Sequence, residues 1–440
     1  MSSHERYHSC NCHGGGARGV AIIRLSGDPV PIVEKMFFPK GRIPVSRFEG
    51  YRLYPGEIDC GSFSDFGLCV LFRAPKSFTG ENVVELHCHG GVQIARAVLK
   101  RAIALGARLA ERGEFTKRAF LNGKLSLSSA EGMADMINGE SDAEVRAGFA
   151  LYHETLTNRV KALQEQLTSL LAGMDCDIDY PEEDLEFASE EAVKNALEGI
   201  SLDLEQLIAG YGTGRKIKQG VTVVLAGRPN AGKSSLLNAL LGFDRAIVSE
   251  IPGTTRDLVD GSMEIEGVKF RLFDTAGLRK SDDAVEKIGV ERAERLLKSA
   301  DIILYLAESW TEEDSRLAAA CPLKPVLVAT KSDLNPPFEG AELSVSAKSG
   351  AGLSALRSLL YERGVGEGAD GAFLVEERHY SALLRARASI RSALENLGNV
   401  PSDLLTVDVK ECWDALGEIT GETASERVIE EIFAKFCVGK

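Results

Sequence analysis

The stretch GRPNAGKSS, Gly227 to Ser235, follows the strand-like run VTVVLAG and precedes the helix-like run LLNALLG. That order leaves little freedom in what the surrounding chain can fold into. Gly227, Gly232, Lys233 and Ser234 satisfy G-x-x-x-x-G-K-[ST] in the strand, loop and helix context the motif requires. The glycines let backbone N–H groups converge on anionic oxygens at a helix N-terminus. Lys233 then supplies a point charge to β/γ-phosphates and Ser234 a hydroxyl ligand for Mg²⁺, while Asn230, Ala231 and Ser235 complete the cradle.

The remaining nucleotide elements follow in the right order. Thr255 in PGTTRD is placed to complete the Mg²⁺ shell. Asp274, ending the run KFRLFD, reaches the metal through water, and the Gly277 N–H senses the γ-phosphate. Thr330-Lys331-Ser332-Asp333 resembles the guanine-reading N-K-x-D of GTPases, with Thr in place of Asn. Asp333 would accept two hydrogen bonds that adenine cannot offer. Ser346-Ala347-Lys348 resembles the loop that supports the base. The expected ligand is GTP or GDP. One part is missing: Ras-like enzymes carry Gln after D-T-A-G to orient the attacking water, and here Leu278 stands there. An isobutyl group cannot hold water, so other groups must act.

At 440 residues the chain predicts several domains, and three textures divide it. Short strand-like runs (VAIIRLSG, LCVLFRAP, VVELHCHGG) and one helix-like run predict an α+β domain over 1–122. Apolar stripes at helical spacing follow over 123–215: Leu156, Val160, Leu163, Leu167, Leu170 and Met174, then Val193, Leu197, Ile200, Leu204 and Leu207. Residues 216–372 alternate strands with helices. Helical stripes return over 373–440, with Leu383, Ala386, Ile390, Leu394 and Leu397, then Val428, Ile432 and Phe436. The economical architecture is a helical domain interrupted by an inserted Ras-like α/β domain, with the stripes on either side packing together.

A net charge of −14 argues against a chain that grips nucleic acid alone by its phosphates. No apolar run reaches the roughly 20 residues that span a bilayer, and MSSHERYHSC lacks a secretory core, so the expected compartment is the cytoplasm, with no membrane contact. Nine scattered cysteines fit reduced thiols. The terminal FCVGK is a poor prenylation signal, because Gly439 fills an aliphatic slot and Lys440 ends the chain.

Together, FTGENVVELHCHGG, RGEFTKRAFLNGKL, GRPNAGKSSLLNAL, GTTRD, DTAGLR, VEKIGVERA and FCVGK resemble the MnmE (TrmE) family of tRNA-modification GTPases over nearly the whole chain. The resemblance implies a folate-binding N-terminal domain, a helical domain and a G domain inserted in it. It also implies a remedy for the missing glutamine. A K⁺ ion held by Asn230 and by oxygens of Ser249, Ile251 and Thr254 acts when two G domains of a homodimer meet, and Glu286 orients water indirectly. The plain alternative for Glu286 is an ordinary helix-surface acid.

Similarity further implies a site for 5-formyl- or 5,10-methylene-tetrahydrofolate at Arg24, Glu85 and Lys124, with Lys440 brought near. Without the family match these read as surface charges. Cys437 is implied as a thiol nucleophile or positioning group; packing against the last helix is its bland alternative. The implied partners are tRNA and an MnmG (GidA)-type flavoprotein that carries FAD in a hetero-oligomer. The implied product is an aminomethyl or carboxymethylaminomethyl group at carbon 5 of the wobble uridine. The competing class is a ribosome-assembly switch, against which the single P-loop and the lack of an RNA clamp count. A folate-binding aminomethyltransferase with a purely regulatory G domain is a third option.

The chain departs from the family at its start. The family opens with a strand, whereas MSSHERYHSCNCHGGGARG shows none. Its histidines and cysteines match no standard zinc spacing, and the H-x-H pair His87 and His89 is a weak metal signal.

Overall fold

The computed structural model describes residues 8–11, 19–179, 189–243, 261–274, 294–366 and 376–436. In chain order the first half contains β1 (His8–Asn11), β2 (Val20–Gly27), α1 (Val30–Val33), β3 (Phe37–Pro39), β4 (Leu53–Asp59), β5 (Ser64–Phe72), β6 (Asn82–His89), α2 (Val92–Ala104), β7 (Arg108–Leu109), α3 (Glu114–Leu121), α4 (Leu127–Asn138), α5 (Asp142–Tyr152), α6 (Thr155–Asp179), α7 (Glu190–Ala209) and α8 (Tyr211–Gln219). The second half adds β8 (Val221–Ala226), α9 (Lys233–Phe243), β9 (Gly261–Ile265), β10 (Val268–Asp274), β11 (Ile302–Ala307), α10 (Glu312–Ala319), β12 (Val326–Ala329), β13 (Leu343–Ser344), α11 (Leu353–Gly364), α12 (Glu377–Asn396), α13 (Ser402–Thr420) and α14 (Glu426–Phe433). Two compact units result. One draws on Met1–Ala134, Leu151–Asp179 and Val409–Lys440, the other on Asp135–Ala150 and Tyr180–Asp408.

In the first unit a seven-stranded sheet runs β3-β4-β5-β6-β2-β1-β7. All neighbours are antiparallel except β1 and β7. Alternation decides its faces: in β6, Val84, Leu86 and Cys88 are buried in one core with Val98 and Ala102 of α2, whereas Glu85 and His87 are only half-buried. The strand at His8–Asn11 corrects the expectation that none opens the chain. HSCN has no β-branched residue to announce it, but backbone pairing with β2 on one side and β7 on the other makes it a strand.

A satellite core in the same unit joins Leu127 and Ala130 of α4 to Ile432, Phe433 and Phe436. Each such buried side chain contributes about 1.5–3 kcal/mol. Gly113 admits this contact. Its φ is +63°, and a Cβ there would meet the Phe433 carbonyl oxygen at 2.6 Å and the Phe436 Cβ at 3.0 Å.

The second unit holds a six-stranded sheet in the order β13-β12-β11-β8-β10-β9, parallel except for the β9–β10 hairpin. Every residue of β11 is buried, as a strand inside an α/β sheet requires. The helical stripes on either side of this sheet pack together as expected. Val193, Leu197, Ile200, Leu204 and Leu207 of α7 are all buried, and α7 lies against α12. Tyr211 and Tyr380 stack at 4.0 Å, on the chain's way into the sheet and back out. The acidic turn around Pro181 lies outside the described residues.

Candidate functional site

The phosphate loop leaves β8 and enters α9 in the order its motif requires. Gly227 sits at φ +139°, and a Cβ there would be 2.3 Å from the Leu306 carbonyl oxygen of β11. Only glycine lets the loop pass so close. Asn230 adopts φ +63°, a left-handed turn that Asn tolerates better than most residues. Two tethers flank it. The Arg228 Nε donates to Asp314 Oδ1 at 2.9 Å, and the Thr330 hydroxyl donates to the Ala231 carbonyl at 2.9 Å.

Lys233 is buried, and its ammonium donates to the Gly227 and Arg228 carbonyls at 2.8 Å each. The Ser234 hydroxyl donates to Asp274 Oδ2 at 2.6 Å, so the two oxygens expected at Mg²⁺ already adjoin. Ser235 is exposed on the first turn of α9.

The guanine turn is held from three sides. Thr330, buried, reaches the phosphate loop through its hydroxyl. Asp333 Oδ1 accepts from the wholly buried Ser346 hydroxyl at 2.7 Å, a bond that holds its carboxyl below the usual carboxylate range. Lys348, on the exposed side of the same loop, lowers it further, and Ala347 lies between the two. The third hold comes from Glu308, which bonds Lys331 and Asn335.

Sequence reasoning passed over Glu308, Asn335 and Asp314. Glu308 had one usable signal: it directly follows an apolar parallel strand, and ligands gather at the carboxyl ends of such strands. Ser249, Ile251, Thr254, Thr255, Gly277 and Glu286 lie outside the described residues, as do Cys437 and Lys440.

Arg24 and Glu85 come together in the first unit. They are register partners across β2 and β6, and two Arg24 nitrogens reach Glu85 Oε1 at 2.6 and 2.8 Å. Burial pushes the Glu85 carboxyl up, but His87, 3.3 Å from its other oxygen, and Arg24 outweigh that and hold it low. The Arg24 guanidinium also lies 5.7 Å from the Phe115 ring centre. Lys124 donates to the Pro75 carbonyl at 3.2 Å.

Beside α3 opens a cleft of about 640 Å³ whose lining includes Glu81, Arg108, Glu114, Lys117 and Arg118. His89 pairs with Asp65 at 2.6 Å. Among the described residues no group of three His, Cys, Asp or Glu side chains stands ready for a metal, and no helix is long and apolar enough to cross a membrane.

A P-loop GTPase domain, joined to an α+β domain and to helices, is the class this fold and site define. Comparison with known proteins carries the assignment further. The profile of the MnmE helical domain matches residues 127–437, and that of the GTP-binding protein TrmE N-terminus matches residues 10–124. The tRNA modification GTPase MnmE of Symbiobacterium thermophilum is 40% identical over 446 residues, covering 97% of this chain and 98% of its own. That of Bacillus velezensis is 37% identical over 450 residues, with 97% and 98% covered. The chain belongs to the MnmE family. Among solved structures, the G domain of the T. maritima FeoB iron transporter aligns with 32% of this chain and 98% of its own, at 29% identity and a TM-score of 0.24.

Proposed function

We propose that this chain, a GTPase of tRNA modification, works with an MnmG (GidA)-type flavoprotein to install an aminomethyl or carboxymethylaminomethyl group at carbon 5 of the wobble uridine. Full-length similarity to curated enzymes of that name supports the tRNA substrate, and a tRNA substrate implies the cytoplasm. The observation that carries the GTPase reading is the convergence of three loops. Ser234 meets Asp274, Thr330 meets Ala231, and Asp333 meets Ser346.

In this reading Lys233 and the loop N–H groups at Asn230, Ala231 and Gly232 bind the phosphates, and Asp333 reads guanine with Ser346, Ala347 and Lys348 behind it. Hydroxyl and carboxylate oxygens at Ser234 and Asp274 fit a hard dication, and Thr255 completes the Mg²⁺ set. Gly277 senses the γ-phosphate. Asn230, in a left-handed turn, would hold K⁺ together with Ser249, Ile251 and Thr254. A monovalent cation there supplies positive charge where the leaving oxygen becomes negative, in place of an arginine finger. Glu286 orients water, and two G domains of a homodimer close the site.

The domains run 1–122 for folate, 123–215 with 373–440 for the helical part, and 216–372 for the inserted G domain. Tetrahydrofolate, when bound, supplies the one-carbon unit. The ionised Glu85 suits pterin N–H donors, and Arg24 and Lys124 suit the glutamate carboxylates, with Lys440. Cys437 acts beside the carrier, while FAD belongs to the partner.

The test is mass spectrometry of wobble uridine in a deletion strain. Wild-type chain is expected to restore the modified base and S234A to fail. Normal modified uridine in the uncomplemented strain contradicts the proposal.

A further inference from the structure

Glu308 is the first residue after β11, and its two carboxylate oxygens have separate partners. Oε2 accepts from Lys331 Nζ at 2.5 Å, and Oε1 accepts from Asn335 Nδ2 at 2.8 Å. One carboxylate thus joins both ends of a short turn whose middle carries Asp333. Its backbone is tied at the Thr330 and Ser332 N–H groups, which donate to the Ala307 and Val345 carbonyls at 2.9 and 3.2 Å, and within the turn the Leu334 and Asn335 N–H groups donate to the Lys331 carbonyl at 2.8 and 3.1 Å.

Lys331 itself adopts φ +56°, a left-handed backbone that costs a non-glycine residue about 1–2 kcal/mol and persists only where its surroundings fix it. Both side chains of the ion pair are more than a third exposed, at 38% and 37%, so solvent screens most of its Coulomb energy. The contribution left to it is geometric.

We propose that Glu308 is a positioning residue for guanine nucleotide: by bridging Lys331 and Asn335 it holds the turn in its binding shape before the base arrives. The ligand class is a guanosine di- or triphosphate, and the inference rests on reading Thr330–Asp333 as the guanine turn. Glu308 acts through Lys331 and Asn335, and through the backbone that sets Asp333 against Ser346. Ordering those groups in advance removes a cost that each binding event otherwise bears.

The experiment follows dissociation of a fluorescent GDP analogue from the full-length chain, beside steady-state GTP hydrolysis. E308A is expected to release GDP about tenfold faster, the change that ~1.4 kcal/mol produces. KM for GTP should rise in step, and kcat at saturating GTP should stay. E308Q keeps an oxygen for only one of the two donors and should recover part of the loss. N335A should show a smaller, roughly threefold, effect.

Release by E308A within twofold of wild type overturns the inference, as does a fall in kcat with KM unchanged. Failure of the wild-type chain itself to retain the analogue overturns the guanine reading, and this inference with it.

Discussion

The guanine turn and the Arg24–Glu85 pair both hold charged side chains in place, but they do so by different means. In the turn, each functional residue is fixed by a neighbour of another type. A hydroxyl holds Thr330 to the phosphate loop, a buried serine holds Asp333, and Glu308 holds Lys331. None of the reading groups is consumed by another, so Asp333 keeps an oxygen to offer. On the sheet, Arg24 and Glu85 neutralise each other across adjacent strands, at 24% and 14% side-chain exposure. The first plan gives a site whose parts act separately on a ligand. The second gives a part-buried ion pair that ties two adjacent strands together.

That contrast breaks first at Asp333. D333N removes a carboxylate oxygen proposed to accept from guanine, and calorimetric titration should show GTP affinity reduced roughly 10²–10³-fold. R24M should leave that affinity alone. It should instead lower folding stability by about 2–3 kcal/mol in urea unfolding, because Glu85 loses its main partner while mostly buried. An R24M chain with wild-type stability would remove the structural half of the comparison.

Two carboxylates, one in each compact unit, should also respond to pH with opposite signs. The folded-state pKa of Glu85 is depressed, so its stabilisation holds above about pH 4.3 and is lost as pH falls through the depressed value. Asp135, in the second unit, goes the other way. Burial and then the charge of Glu376 push it up to about 7, against the pull of Lys218, 2.8 Å away. Its contribution is therefore present below about pH 3.9 and lost as pH rises toward 7. Thermal unfolding across pH 4–8 should show wild type losing about 1–2 kcal/mol relative to D135N over that window. A flat difference contradicts the assignment. The smallest effect belongs to T330V, which deletes one buried hydroxyl bond and should weaken nucleotide binding about fivefold.

The phosphate loop was legible because its chemistry is packed into eight consecutive residues, with a strand before it and a helix after it. Thr330 read from sequence as a weaker form of Asn, yet its hydroxyl meets the Ala231 carbonyl directly. Glu308 stayed hidden because Lys331 lies 23 residues away, and the role of Asp314 at the phosphate loop because Arg228 lies 86 residues away; no motif spans such gaps. Arg24 and Glu85 are separated by 61 residues and joined only by strand register, so resemblance alone singled them out. Helical stripes were read well at their centres and less well at their ends. Leu156, Val160 and Leu167 are fully buried, whereas Leu170, Leu394 and Leu397 are only half-buried. The opening strand was invisible because HSCN owes its conformation to two neighbours rather than to its own residues.

The account depends most on how a chain with Leu278 in place of the usual glutamine hydrolyses GTP. Initial rates of hydrolysis, measured on the full-length chain in matched KCl and NaCl, address that directly. The proposal predicts a rate at least about tenfold higher in KCl, the scale of a charge placed at the leaving oxygen. Equal rates in the two salts would contradict it.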